Sequence, residues 1–143
     1  MSKLALQVAT GILASVPTTT GLIGLMGLAD PLYATLGLPQ DATLDSNLRF
    51  YSGVWLGLGL NAFCLLPQIE HRTAIYRALW LMIFAGGIGR LISLVIAGVP
   101  FLPFIGFTVL EIVGAPLFIF WQYKVALAAK RPPARRDASL TCP

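Results

Sequence analysis

The sequence predicts an all-α fold: an integral membrane bundle of four transmembrane helices in antiparallel, up-and-down order. Three observations predict it. Of the 143 residues, 57% are hydrophobic and only 11% charged, against about a quarter charged in a soluble domain. The apolar residues fall into four runs, each close to the roughly 20 residues a helix needs to cross a bilayer. The basic residues gather at the ends of those runs rather than along an amphipathic surface with interleaved aromatics. The net charge of +4 therefore points to a membrane protein and not to a nucleic-acid partner.

The first run covers about residues 4–28. Pro17 interrupts it and predicts a kink, since proline removes a backbone hydrogen bond; the hydroxyls of Thr18, Thr19 and Thr20 are placed to compensate. A cleaved signal peptide is the rival reading, with Lys3 as its charged start and residues 4–16 as its apolar stretch. The apolar character continues through residues 21–28, which favours a full span. Asp30-Pro31 then reads as a helix start, aspartate capping and proline in the first position. A short interfacial helix is expected there, with Leu32, Tyr33 and Leu36 on one face, ending at Gly37. The second span is expected over about 45–66, and Pro67-Gln68-Ile69-Glu70-His71-Arg72 forms a polar loop. The third covers about 73–97, the residues 98–103 make an uncharged turn, and the fourth covers about 104–128. These spans form one domain, 1–129; the basic segment 130–143 has too little apolar content to bury a core and is expected to be a disordered cytoplasmic tail.

Charge asymmetry sets the expected orientation. In a four-span arrangement Lys3, Arg72, Arg77, Lys124, Lys130, Arg131, Arg135 and Arg136 all fall on one side, and Asp30, Asp41 and Asp45 on the other. Cytoplasmic loops are enriched in Lys and Arg, so both termini are expected in the cytoplasm, with the tail set against anionic lipid.

Apolar burial does little to associate helices within lipid; small residues that let backbones approach do more. Gly53 and Gly57 stand at GxxxG spacing, and Gly86, Gly89 and Ser93 form adjacent rows on the third span. These five, with Gly21, Gly24 and Gly27 at the end of the first span, are the expected packing residues, either within the chain or across a homodimer or another membrane partner.

Ionisable groups within a span cost about 2.5–3.5 kcal/mol each on the insertion scale, so Arg49, Arg90 and Glu111 require an explanation. Arg90 and Glu111 lie at similar distances from the turn near Pro100; at roughly 1.5 Å per residue both sit some 10–12 Å below it, where antiparallel neighbours can pair. Arg49 lies near the end of the second span, beside Asn47 and Tyr51. One reading makes Arg90–Glu111 a staple and pairs Arg49 with Asp45, Asp41 or lipid phosphate. The other gathers Arg49, Arg90, Glu111, Asn47 and Tyr51 into an outer-half pocket, walled by Trp55 and Phe107, for a quinone or a small anion, because the guanidinium fork suits such oxygens. No nucleophile–base pair is present, so no catalytic residue is assigned. The single histidine, His71, and two separated cysteines, Cys64 and Cys142, offer no metal set, haem ligation or disulfide, and no cofactor is expected.

The segments Asn47-Leu48-Arg49-Phe50-Tyr51-Ser52-Gly53 and Gly86-Gly87-Ile88-Gly89-Arg90-Leu91-Ile92-Ser93, then Gly98-Val99-Pro100 and Glu111 with Pro116, resemble the bacterial membrane family catalogued as domain of unknown function 4345, which is loosely similar to DoxX-like four-helix membrane proteins. The resemblance covers most of the chain apart from the basic tail. It implies a four-helix membrane fold and carries no activity with it, and fold alone does not supply one. The expectation is a small multi-pass protein of the bacterial inner membrane, accessory or ligand-binding rather than catalytic. A redox accessory that binds a quinone or small anion, and a small dimeric transporter, are the alternatives.

Overall fold

The computed structural model describes residues 2–33 and 36–130. Among the described residues there are four long helices and no strand. They are α1 (Lys3–Gly24), α2 (Ala42–Leu65), α3 (Thr73–Ala97) and α4 (Leu102–Lys130). All four are long and apolar enough to cross a membrane. Their outer surface is correspondingly apolar: Val95 and Ile96 are each more than four-fifths exposed, as suits helices that face lipid.

Each helix begins and ends for a local reason. The Ser2 hydroxyl caps α1 and the Asp41 carboxylate accepts from Leu44 N at the start of α2, so the second helix starts about three residues earlier than expected. α1 runs unbroken through Pro17. Thr18, Thr19 and Thr20 return their hydroxyls to the carbonyls of Ala14, Ser15 and Val16 at 2.7–2.8 Å, which satisfies polar groups that lipid would leave bare. The helix stops at Gly24 rather than near residue 28, and a single 3₁₀ turn follows over Gly27–Ala29.

The interfacial helix expected after Asp30 is not formed in the described part of that segment. Residues 31–33 make a turn, in which the Asp30 carboxylate accepts from Leu32 N at 2.8 Å. Aspartate followed by proline supports such an Asx turn as well as a helix cap, and only three residues follow before the undescribed pair 34–35. The tail from residue 131 onward, with Arg131, Arg135, Arg136 and Cys142, also lies outside the described residues.

α1 and α2 pack as a close antiparallel hairpin. Gln7 Nε2 donates to Leu66 O at one end (2.6 Å), and Arg49 donates to Leu25 O at the other (2.6 Å). Between them Gly21 lies against the Leu56 backbone, Gly24 against Ser52, and Gly59 against Thr18. α3 and α4 form the second antiparallel pair, with Trp80 stacked on Phe118 (4.5 Å between centroids) and Gln122 bonded to Thr73 and Ile69 O. The two pairs share a core around Leu6, Ala14, Leu65, Ile69, Tyr76 and Trp80.

Within the chain, Gly53, Gly57, Gly86, Gly89 and Ser93 make no close helix approach. Nothing lies within 4 Å of a Cβ built on Gly57, Gly86 or Gly89, and Gly53 makes only an ordinary contact with Leu25 at 3.8 Å. Ser93 is exposed. The close approaches within the chain use Gly21 and Gly24, from the row expected at the end of the first span, together with Gly59 and Gly87. Each span is apolar on all sides, so its sequence leaves open which row of small residues faces inward.

Candidate functional site

The site is built where α3 and α4 meet. Arg90 Nε donates to Glu111 Oε2 at 2.9 Å. The Glu111 side chain is 7% exposed and that of Arg90 34%. Gly87, one turn from Arg90, makes room for this pair: a Cβ there would lie 2.8 Å from Glu111 Cβ and 3.1 Å from Ile112 Cδ1. The Arg90 guanidinium also lies over the Phe104 ring, 5.4 Å from its centroid.

α4 changes its winding at this point. Leu110–Gly114 form a π-helical turn between α-helical stretches. Pro116, two residues beyond, has no N–H, and its ring crowds the carbonyl of Ile112; the widened turn before it takes up that conflict. π turns inside α-helices are frequent at functional sites, and this one carries the buried carboxylate.

The pair separates two spaces. On one side Glu111 borders a partly open cavity of about 50 Å³, mostly apolar, which also touches Thr10, Trp55, Trp80, Ile83 and Phe107. On the other side Arg90 lines a groove of about 310 Å³ with Tyr33, Leu94, Phe104 and Thr108. Ser93, expected as a packing residue, also lines this groove.

Arg49, Asn47 and Tyr51 do not join the pair. Arg49 forms an ion pair with Asp45 at 2.7 Å and donates to the carbonyls of Leu25 and Met26 at 2.6 and 3.1 Å. Asp45 in turn accepts from Leu28 N at 2.9 Å. This arrangement ties the end of α1 to the start of α2, and it satisfies carbonyls that a helix end leaves bare. Gly27 lies within it at φ +64°, where a side chain would run into Asp45 and Arg49. Asn47 and Tyr51 are exposed, Tyr51 packing edge-on against Phe50. Of the expected pocket walls, Trp55 and Phe107 border this same cavity.

Sequence reasoning missed the polar groups beyond the pair. Thr10 Oγ1 and Tyr76 Oη are hydrogen-bonded at 3.0 Å deep in the bundle. Gln122 is fully buried and donates to Ile69 O and Thr73 Oγ1 at 3.0 and 2.9 Å. A polar side chain inside an apolar run was the available signal, and in Thr10, Tyr76 and Gln122 it carried no charge to draw attention. Among the described residues no group of His, Cys, Asp and Glu is placed to hold a metal ion.

No curated protein and no solved structure matches this chain. Residues 5–122 match the family described as domain of unknown function 4345. That stretch includes all of α2 and α3, most of α1 and α4, and both members of the Arg90–Glu111 pair. By this match over most of its length, the four-helix chain belongs to the family described as domain of unknown function 4345.

Proposed function

We propose that this protein sits in a bacterial inner membrane with both termini cytoplasmic, and there holds a lipid-like molecule by an oxygen-bearing head at Arg90, in an accessory rather than a catalytic role. The observation that carries this reading is the partial use of the guanidinium. Arg90 donates through Nε to Glu111, and among the described residues no hydrogen bond from its two terminal nitrogens is formed. Both nitrogens belong to a residue lining an apolar groove, and a planar fork of this kind suits carboxylate, phosphate or quinone oxygens. Leu94, Phe104 and Val109 supply walls for an attached hydrocarbon. An ionisable group inside a membrane span is by default a candidate for such a role.

The test compares the full chain with the double variant Arg90→Leu/Glu111→Leu, which removes both charges together and so leaves no unpaired ion. Each is offered phosphatidylglycerol, a long-chain fatty acid and ubiquinone in detergent, and bound species are counted by native mass spectrometry. The wild type should retain at least one of the three, and the variant should lose it. Equal retention by both proteins, or none by the wild type, overturns the assignment.

A further inference from the structure

The buried polar groups continue from Glu111 toward the end of the bundle that carries the amino terminus. Thr73, Tyr76, Trp80, Gly87 and Arg90 follow one face of α3 at steps of three, four, seven and three residues, over roughly 25 Å at 1.5 Å per residue. At the far end Glu70 bonds Lys3 through Oε1 at 2.5 Å, while its Oε2 is buried without a protein partner. Burial would raise the Glu70 carboxyl, but the hydrogen bond and charge of Lys3, with His71, hold it below its ordinary value. Next comes Gln122, whose Oε1 has no partner, then the Tyr76–Thr10 hydrogen bond. Thr10 borders the cavity of about 50 Å³ that Glu111 borders too. Trp80 lines the same cavity, and its Nε1 is buried without a partner.

Of the five buried side-chain polar atoms without a protein partner among the described residues, three therefore lie along this one column. Such atoms are ordinarily met by internal water, which needs only about 10–15 Å³ and a few polar neighbours. The cavity offers that room beside Trp80 Nε1, with Thr10 and Glu111 as its other polar neighbours.

We propose that Glu111 takes up and releases a proton through this column, in exchange with water at the end of the bundle that carries Lys3 and Glu70. On uptake the Glu111 carboxylate becomes a carboxylic acid. Each hydroxyl or water along the way accepts one proton as it passes one on, so none changes its charge. Among the described residues Arg90 is the charged side chain set against Glu111. α1 presents Thr10, Leu13 and Val16 to the cavity and α2 presents Trp55 and Leu58, none of which is ionisable in the working range. Asp45 and Arg49 are engaged with each other at the α1–α2 corner. On the groove side the Arg90 cation opposes proton entry, as a fixed positive charge does in a membrane pore, which gives the exchange one direction of access. This holds whatever Arg90 binds.

The experiment uses the full chain in lipid vesicles and infrared difference spectra after a step in pH or into heavy water. The protonated-carboxyl band of Glu111 is identified by its loss in Glu111→Gln. The double variant Thr10→Val/Tyr76→Phe removes both hydroxyls of one hydrogen bond while keeping shape, a change that is nearly neutral for stability; Tyr76→Phe alone serves if the double variant does not fold. The band should respond to the step in the wild type, and its exchange should slow on the order of tenfold or more when the hydroxyls are gone, a rise of about 1.4 kcal/mol or more in the barrier. A Glu111 band that never responds overturns the proposal. So does exchange at an unchanged rate in the hydroxyl variants, which would mean that protons reach Glu111 from the groove side.

Discussion

At mid-span a lone Arg90 or Glu111 would cost about 2.5–3.5 kcal/mol, and their 2.9 Å hydrogen bond is what makes both tolerable. Removing one partner of a buried pair typically costs about 3–5 kcal/mol, whereas replacing both with apolar residues is often neutral. Arg90 is one-third exposed, which moves the expected loss toward the lower end. Arg90→Leu and Glu111→Leu should each lower thermal stability in detergent, because each leaves one polar partner of the pair without the other. The double variant should recover most of the loss. Additive losses in the double variant would show that the two side chains do not support each other. The depth of this pair was legible in the sequence, from equal distances to the turn at Pro100. The place of Arg49 was not: Asp45 stands four residues before it on the same helix, but its carbonyl partners Leu25 and Met26 come from a chain reversal no local pattern announces.

Glycines decide how closely the elements approach. A Cβ on Gly21 would sit 2.6 Å from Leu56 N, and one on Gly59 would sit 2.8 Å from Thr18 N. Both meet backbone, which cannot rotate away. Gly21→Ala and Gly59→Ala should therefore each destabilise by about 1–3 kcal/mol, the usual cost of overpacking, seen as a lower unfolding temperature. Gly57→Ala and Gly86→Ala have open space and should stay within about 0.5 kcal/mol of wild type, or gain slightly from helix propensity. The reverse ranking would mean that the helices are rotated relative to the arrangement described, or that the open glycines pack against another chain. The π turn at Leu110–Gly114 belongs to this scale as well. Pro116 signals a local conflict in the sequence, but a kink, a break and a widened turn all resolve such a conflict.

For the whole molecule the distribution of charge sets the proposed orientation in the membrane. The loop at residues 69–72 and both ends of the described chain share one end of the bundle, because Lys3 bonds Glu70 and Gln122 bonds Ile69 O. The basic residues near that end favour the cytoplasm. With Cys64 and Cys142 replaced by alanine, single cysteines at Gln40 and His71, both exposed, report the two ends. A membrane-impermeant thiol reagent applied to intact spheroplasts should label Gln40→Cys and leave His71→Cys unlabelled. Labelling of the second from outside would invert the proposed orientation and, with it, the side from which protons are taken to reach Glu111.

The sequence by itself determined how many helices there are and roughly where they lie. Run length, the scarcity of charge and the positions of Pro, Asp and Arg suffice, because the bilayer imposes a length and forbids bare backbone. It also determined that Arg90 and Glu111 lie at one depth, since rise per residue is constant along a helix. Only the tertiary structure decided how each helix turns about its own axis. A span that is apolar all round carries no preferred face, so Gly87 rather than Gly86 or Gly89, and Tyr76, Thr10 and Gln122 rather than Asn47 and Tyr51, came to line the interior. Contacts between helices fix that rotation, and they depend on pairs of residues far apart in the chain.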